Sequence, residues 1–410
     1  MRANFLTKLK QALIAIAAGT MLSMPVFADS FIPVASQPQQ STFIPSAPTI
    51  DARAYILMDA LSGRILAEKN ADDRVPPASL TKVMTLYIVS AAIKEGRIHM
   101  DDKVRVSTKA WKAEGSRMFI KVGDEIPVKD LMMGVIVASG NDAAIALAEH
   151  VAGTEEGFTD LMNQEARQLG MTNTHFTDST GLPDPEHYST ARDFALLTQA
   201  YIKNYPEDYN LHAEKWFTHN GIKQPNRNRL LWRYQFADGL KTGHTDEAGY
   251  CLISSAKKDG MRLVSVVMGE PSDGARTEDS IRLLNFGFRF FDTHKLYDGG
   301  SSLTKARVWQ GEHAEIPLGI TQDLYVTIPK GQYKRLRASV TLNNALKAPI
   351  EQGEILGTLN ITLNNQIVSS TPLVSLKSDP RGGWFRRTTD SIGYTLHKLF
   401  SSPKEQLNTG

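Results

Sequence analysis

The chain has 410 residues, 41% of them hydrophobic and 22% charged, with a formal net charge of +2. That length allows at least two packed domains, and so balanced a charge argues against a nucleic-acid partner. The single cysteine, Cys251, excludes an internal disulfide; its run Tyr250-Cys251-Leu252-Ile253 places it in a core as a small hydrophobe.

The first 28 residues have the layout of a secretory signal. Arg2, Lys8 and Lys10 make a positive end, Leu13 to Leu22 is apolar, and Val26-Phe27-Ala28 suits a signal peptidase. The apolar stretch is short for a membrane span and Pro25 interrupts it, so cleavage after Ala28 is expected. Those 28 residues hold three basic and no acidic residues, which leaves a mature chain with a balance of −1. Residues 29–50, rich in Ser, Pro and Gln, are expected to form a flexible lead segment.

Ala54 to Asp59 and Arg64 to Glu68, separated by Ser62-Gly63, predict a hairpin. A helix is expected from near Ser79 to Gly96, apolar on nearly every face and therefore internal. Further apolar helices are expected over Leu131 to Ala138 and Ala143 to Val151, with polar loops and helices over 154–235. Gly239 to Gly243, Tyr250 to Ala256 and Met261 to Gly269 predict strands, and a helix follows around Asp279 to Phe291. The sum is a mixed α/β (α+β) domain over 51–297, an antiparallel sheet with a buried helical cluster. Short alternating runs then predict a small all-β domain over 298–377, with Asn364-Asn365 as a hairpin turn. In the last segment, 378–410, Trp384, Phe385, Ile392, Leu396, Leu399 and Phe400 can share one helical face. Arg381, Arg386, Arg387 and Lys398 against Asp390 make that segment basic. This pattern predicts an amphipathic helix lying on an anionic membrane surface.

Three motifs carry chemistry: Ser79-Leu80-Thr81-Lys82, Ser139-Gly140-Asn141 and Lys241-Thr242-Gly243. On a helix Ser79 and Lys82 share a face, so the amine reaches the hydroxyl. A serine needs a base to become a nucleophile, and a lysine serves only if burial or a second cation lowers its pKa; Lys241 is that second cation. The plain alternative for Ser79 is a helix N-cap. Ser139 can pass a proton to a leaving amine, and Asn141 can hold Lys82 and a substrate amide. Gly243 lets a substrate backbone approach a strand edge, where Lys241 and Thr242 offer a cation and a hydroxyl. His244 has no evident acidic partner, so only its backbone N–H is assigned, paired with that of Ser79 as an oxyanion hole. No metal or nucleotide motif is present, and no cofactor is expected.

In order and spacing these motifs resemble the signature of penicillin-recognising serine enzymes. With Ser-Gly-Asn in the middle slot, the chain resembles low-molecular-mass penicillin-binding proteins that are D-alanyl-D-alanine carboxypeptidases. Pro77-Ala78, Asn226-Arg227-Asn228, Gly239-Leu240, His244-Thr245 and Gly287 to Phe291 extend the likeness over nearly the whole mature chain. The resemblance implies removal of the terminal D-alanine from peptidoglycan pentapeptides through an acyl-enzyme on Ser79, and acylation by β-lactam antibiotics. It implies a role in peptidoglycan maturation and cell shape, on the periplasmic face of the inner membrane. It also implies that Arg276 and Arg227, with Thr242, serve the carboxylate of the leaving residue. Three alternatives stay open on the sequence: a DD-endopeptidase, a weak β-lactamase, and a non-catalytic wall-binding scaffold.

Overall fold

A computed structural model describes residues 44–391. The signal segment and Ile392, Leu396, Leu399 and Phe400 of the proposed tail helix lie outside the described residues.

Five antiparallel strands form the central sheet: β1 (Ala54–Asp59), β2 (Ile65–Lys69), β3 (Ala237–Thr245), β4 (Gly249–Lys258) and β5 (Met261–Glu270). Their spatial order is β2-β1-β5-β4-β3, which leaves β3, with Lys241-Thr242-Gly243, at an edge. Both faces of the sheet are covered, which explains why β1 is buried at every position. Ala54, Ile56 and Met58 face the larger core, together with Cys251, Ile253, Val264 and Val266. Tyr55 and Leu57 face a second core with Leu252, Leu263 and Val267.

The larger core is helical. It holds α1 (Lys82–Lys94), α2 (Val128–Val137), α3 (Asn141–Ala152), α4 (Glu155–Gln168) and α5 (Ala191–Asn204). In α1 every residue from Lys82 to Ser90 is buried, as its apolar sequence requires. The second core is closed by α6 (Asp273–Phe290). This helix starts earlier than the sequence suggests, because Ser272 caps it by accepting from the Ala275 N–H at 3.0 Å. The residues Asp273 to Ala275 thus belong to its first turn. Ile50 is buried in the same core and Ile44 and Ala47 pack on it, so packing fixes this end of the expected lead segment.

After α6, residues 291–375 are built mainly of strands. A six-stranded sheet runs in the order Leu336–Leu342, Ile355–Leu363, Gln366–Ser375, Glu315–Gly319, Ser302–Trp309, Leu346–Lys347. Phe291–Tyr297 pairs with Leu324–Pro329. Asn364 and Asn365 have φ of 51° and 66°, the pair of left-handed residues that a tight hairpin needs. A buried polar cluster links the all-β part to the first hairpin: Thr293 Oγ1 donates to Asp59 Oδ2 at 2.8 Å, and Arg64 to the Thr327 carbonyl at 2.6 Å.

Residues 384–391 are helical. Asp390 accepts from the Gln310 N–H at 2.9 Å, and Arg386 donates to the Glu312 carbonyl at 2.9 Å, so the polar face of this turn is docked. Trp384 and Phe385 are left 77% and 76% exposed. Among the described residues no helix is long and apolar enough to cross a membrane.

Candidate active site

Ser79 lies on a short 3-10 turn, Ala78–Thr81, and Lys82 is the first residue of α1. The N-cap position belongs to Thr81, so the plain capping role for Ser79 is not what the structure shows. The tight turn still brings the pair together: Lys82 Nζ is 2.9 Å from Ser79 Oγ. The second anchor of the amine is the Thr180 carbonyl, at 2.6 Å. Lys82 is 0% exposed, and burial is the main cause that lowers its pKa from 10.5 to about 7. The Arg227 charge pushes the same way, while Asp178 and Asp142 oppose it.

Ser139 is buried between α2 and α3 with φ of 57°. A left-handed non-glycine residue there stores backbone strain of about 1–3 kcal/mol. Its Oγ accepts from Lys241 Nζ at 2.8 Å. Lys241 is 2% exposed, and its pKa is held well below 10.5 by burial first, then by the charges of Lys82, Arg227 and Arg276. Asn141 does not bind Lys82, as the sequence reading allowed. Its amide N–H₂ donates to the Glu114 carbonyl at 2.6 Å, and its Oδ1 is buried with no hydrogen-bond partner. The next residue, Asp142, accepts from the N–H groups of Met118 and Phe119, each at 2.9 Å, and so pins the segment that carries Glu114.

Edge strand β3 bridges the two motifs. Lys241 reaches Ser139, and two residues on Gly243 lies against the nucleophile turn. A Cβ at Gly243 would sit 3.0 Å from the Pro77 carbonyl oxygen and 3.3 Å from the Leu80 nitrogen. Gly243 therefore eases a close contact with the Ser79 turn, beyond the approach of a substrate backbone. Thr242 is buried at 6% exposure, and His244 is exposed with its ring 4.0 Å from that of Tyr250.

The two arginines differ. Arg276 is largely committed to the protein: it donates to the Gly243 carbonyl at 2.9 Å and the Cys251 carbonyl at 3.2 Å, and it is paired with Asp273. Arg227 donates to Ser116 Oγ at 2.6 Å. Both line a cleft of about 530 Å³ that also includes Trp216, Trp232 and Tyr250.

Sequence reasoning missed the segment from Thr177 to His187. Asp178 Oδ1 collects the Thr180 N–H, the Thr180 hydroxyl and the Gly181 N–H at 2.6, 2.9 and 2.6 Å. That loop turns the Thr180 carbonyl onto Lys82. Gly181, with φ of 85°, passes so close that a Cβ would sit 1.8 Å from the Ala78 carbonyl oxygen. A backbone carbonyl leaves no motif, but Asp178 followed by Gly181 was a usable turn signal.

The α+β unit, with a serine hydroxyl against a buried lysine amine, has the layout of a serine acyl-transfer enzyme. The model of the D-alanyl-D-alanine carboxypeptidase family matches residues 41–272, and that of the penicillin-binding protein 5 C-terminal domain matches residues 291–381. The chain is 45% identical over 405 residues to D-alanyl-D-alanine carboxypeptidase DacC of Escherichia coli, covering 97% of this chain and 99% of that one. It is 43% identical to DacA of the same species, covering 88% and 91%. Penicillin-binding protein 5 from Haemophilus influenzae superposes with a TM-score of 0.79 at 42% identity, covering 82% of this chain and 100% of that chain. The chain belongs to the D-alanyl-D-alanine carboxypeptidase family.

Proposed function

We propose that this protein removes the terminal D-alanine of peptidoglycan pentapeptides through a Ser79 acyl-enzyme that β-lactams also form. The observation that carries the reading is a buried amine with lowered pKa, Lys82, set 2.9 Å from Ser79 Oγ beside the Lys241–Ser139 pair.

Neutral Lys82 keeps one N–H on the Thr180 carbonyl, so its lone pair faces the Ser79 hydroxyl. Ser79 Oγ attacks the penultimate D-alanine carbonyl as its proton passes to Lys82 Nζ. The backbone N–H groups of Ser79 and His244 receive the oxyanion. When the C–N bond breaks, Ser139 gives its proton to the leaving amine and is resupplied from Lys241 Nζ, 2.8 Å away. Once Lys82 has returned its proton to the neutral Lys241, water attacks the ester with Lys82 again taking a proton, which passes to Ser79 Oγ as the ester C–O bond breaks. Asn141 Oδ1, buried and unpaired, is free to accept the N–H of a substrate amide.

The terminal carboxylate enters a site lined by basic side chains, with Arg227, Arg276 and Lys241 beside the neutral Lys82. Thr242 and Arg227 meet it directly. Arg276 adds charge and holds the Gly243 carbonyl, and with it the edge of β3. Export by the leader of residues 1–28 and attachment to the periplasmic face of the inner membrane complete the proposal. The exposed Trp384 and Phe385 support attachment.

The test is mass mapping of the penicillin adduct. A single acyl group on the peptide containing Ser79, absent in Ser79→Ala, is expected. An adduct that survives the substitution rejects the assignment.

A further inference from the structure

His187 is 3% exposed and lies outside the three motifs, yet it joins the two segments that hold the nucleophile and its base. Its Nε2 is 2.8 Å from Thr81 Oγ1, inside the Ser79 turn. Its Nδ1 receives the Thr177 N–H at 3.2 Å and lies 3.0 Å from the Thr177 hydroxyl.

The direction of these bonds follows from what each group can do. A backbone N–H only donates, so Nδ1 is unprotonated. A neutral imidazole then carries its proton on Nε2 and donates to Thr81 Oγ1. The Thr81 hydroxyl in turn donates to the Ala78 carbonyl at 2.9 Å. One ordered chain therefore runs from Thr177 through His187 and Thr81 to Ala78. Ala78 directly precedes the nucleophile and is held at φ of 48°, so the chain ends on a strained residue that needs support. At the other end Thr177 adjoins Asp178, which aims the Thr180 carbonyl at Lys82.

We propose that His187 is a positioning residue for acylation: as the neutral Nε2–H tautomer it locks the Ser79 turn to the loop that orients Lys82. A proton added at Nδ1 would meet the Thr177 N–H donor head-on and break this lock. The groups acting on the ring are the Asp178 carboxylate, 3.8 Å from Nδ1, and Asp184, His175 and Lys82. An imidazolium would draw the Asp178 carboxylate away from Thr180 and Gly181. Burial opposes that proton and Asp178 favours it, with burial the stronger.

The inference rests on Ser79 as nucleophile, and its test separates the two. The first measurement is histidine ¹⁵N NMR of the native protein near pH 8. Nδ1 of His187 should be the unprotonated nitrogen; the opposite tautomer overturns the proposal whatever the variants do. The second is the pH profile of Ser79 acylation by a fluorescent penicillin, in the native protein and in His187→Asn. Asparagine keeps an acceptor for Thr177, but its shorter amide does not reach Thr81 as Nε2 does. A displacement of the nucleophile by about 1 Å can cost about a hundredfold, so a 10- to 100-fold lower plateau is expected with binding of the penicillin little changed. The native acid limb should steepen from one proton toward two at its lower end, and that second proton should vanish in His187→Asn. Native acylation rates in the variant, or a second proton that persists there, overturn the proposal. Loss of all acylation in Ser79→Ala with the tautomer as stated would leave both readings standing.

Discussion

The acid limb of acylation is the sharpest consequence of burying Lys82. With its pKa lowered from 10.5 to about 7, about half of the amine is neutral at pH 7, against about three parts in ten thousand for an ordinary lysine. The acylation rate by a fluorescent penicillin at limiting concentration should thus rise about tenfold per pH unit just below 6, more steeply at the lower end of the limb where His187 takes its proton, reach half its plateau near 7, and flatten above 8. Arg227 is one cause of the lowered value, so Arg227→Ala should move the midpoint upward. A midpoint near 10, or a profile flat from pH 5 to 9, would refute the assignment of Lys82 as the base. The same shift is a statement about stability. Between pH 7 and 10.5 the unfolded chain holds this proton more firmly than the folded one, so stability rises with pH across that window. At and below pH 7 the burial costs about 4–5 kcal/mol relative to an ordinary lysine. Lys82→Met should recover about 1–4 kcal/mol at pH 7 in urea unfolding while abolishing acylation; a less stable variant would show that the amine supports the fold.

Two further predictions follow from contacts. Gly181→Ala places a Cβ against the Ala78 carbonyl at a φ of 85°, so it should destabilise the protein by at least about 2 kcal/mol and slow acylation. Thermal unfolding beside the penicillin rate measures both, and a silent variant would show that loop and turn are not held together. Truncation after Gly383 removes the exposed Trp384 and Phe385 with the basic tail. It should release the protein from anionic vesicles in a sedimentation assay while leaving hydrolysis of a soluble peptide nearly intact, and continued sedimentation rejects the anchor.

Elements that bury one clear pattern were legible from the residues. The run from Lys82 to Ser90 is apolar on all sides and is buried on all sides. The strands carrying Lys241, Cys251 and Val264 are bounded by turns whose glycines, Gly249 and Gly260, adopt positive φ. Where polar residues interrupt the pattern, the boundary moved: Asp273, Gly274 and Arg276 hid the first turn of α6, which depends on the Ser272 cap. The strands Phe291–Tyr297 and Ser302–Trp309 are only partly buried, so charged residues break their alternation. At the site, side chains that react were visible as motifs. The groups that aim them were not: the Thr180 carbonyl is backbone, and His187 stands more than a hundred residues from Thr81 in the chain. The Glu114 carbonyl that Asn141 holds in place of Lys82 is also backbone.

The central claim is that a lysine-activated Ser79 hydrolyses a D-Ala-D-Ala terminus. Release of D-alanine from diacetyl-Lys-D-Ala-D-Ala, compared between the native protein and Ser79→Ala, tests it most directly. The account predicts steady release by the native protein and none by the variant. A folded native protein that forms the penicillin adduct at Ser79 yet releases no D-alanine would contradict it and point to cross-linked peptides as the substrate.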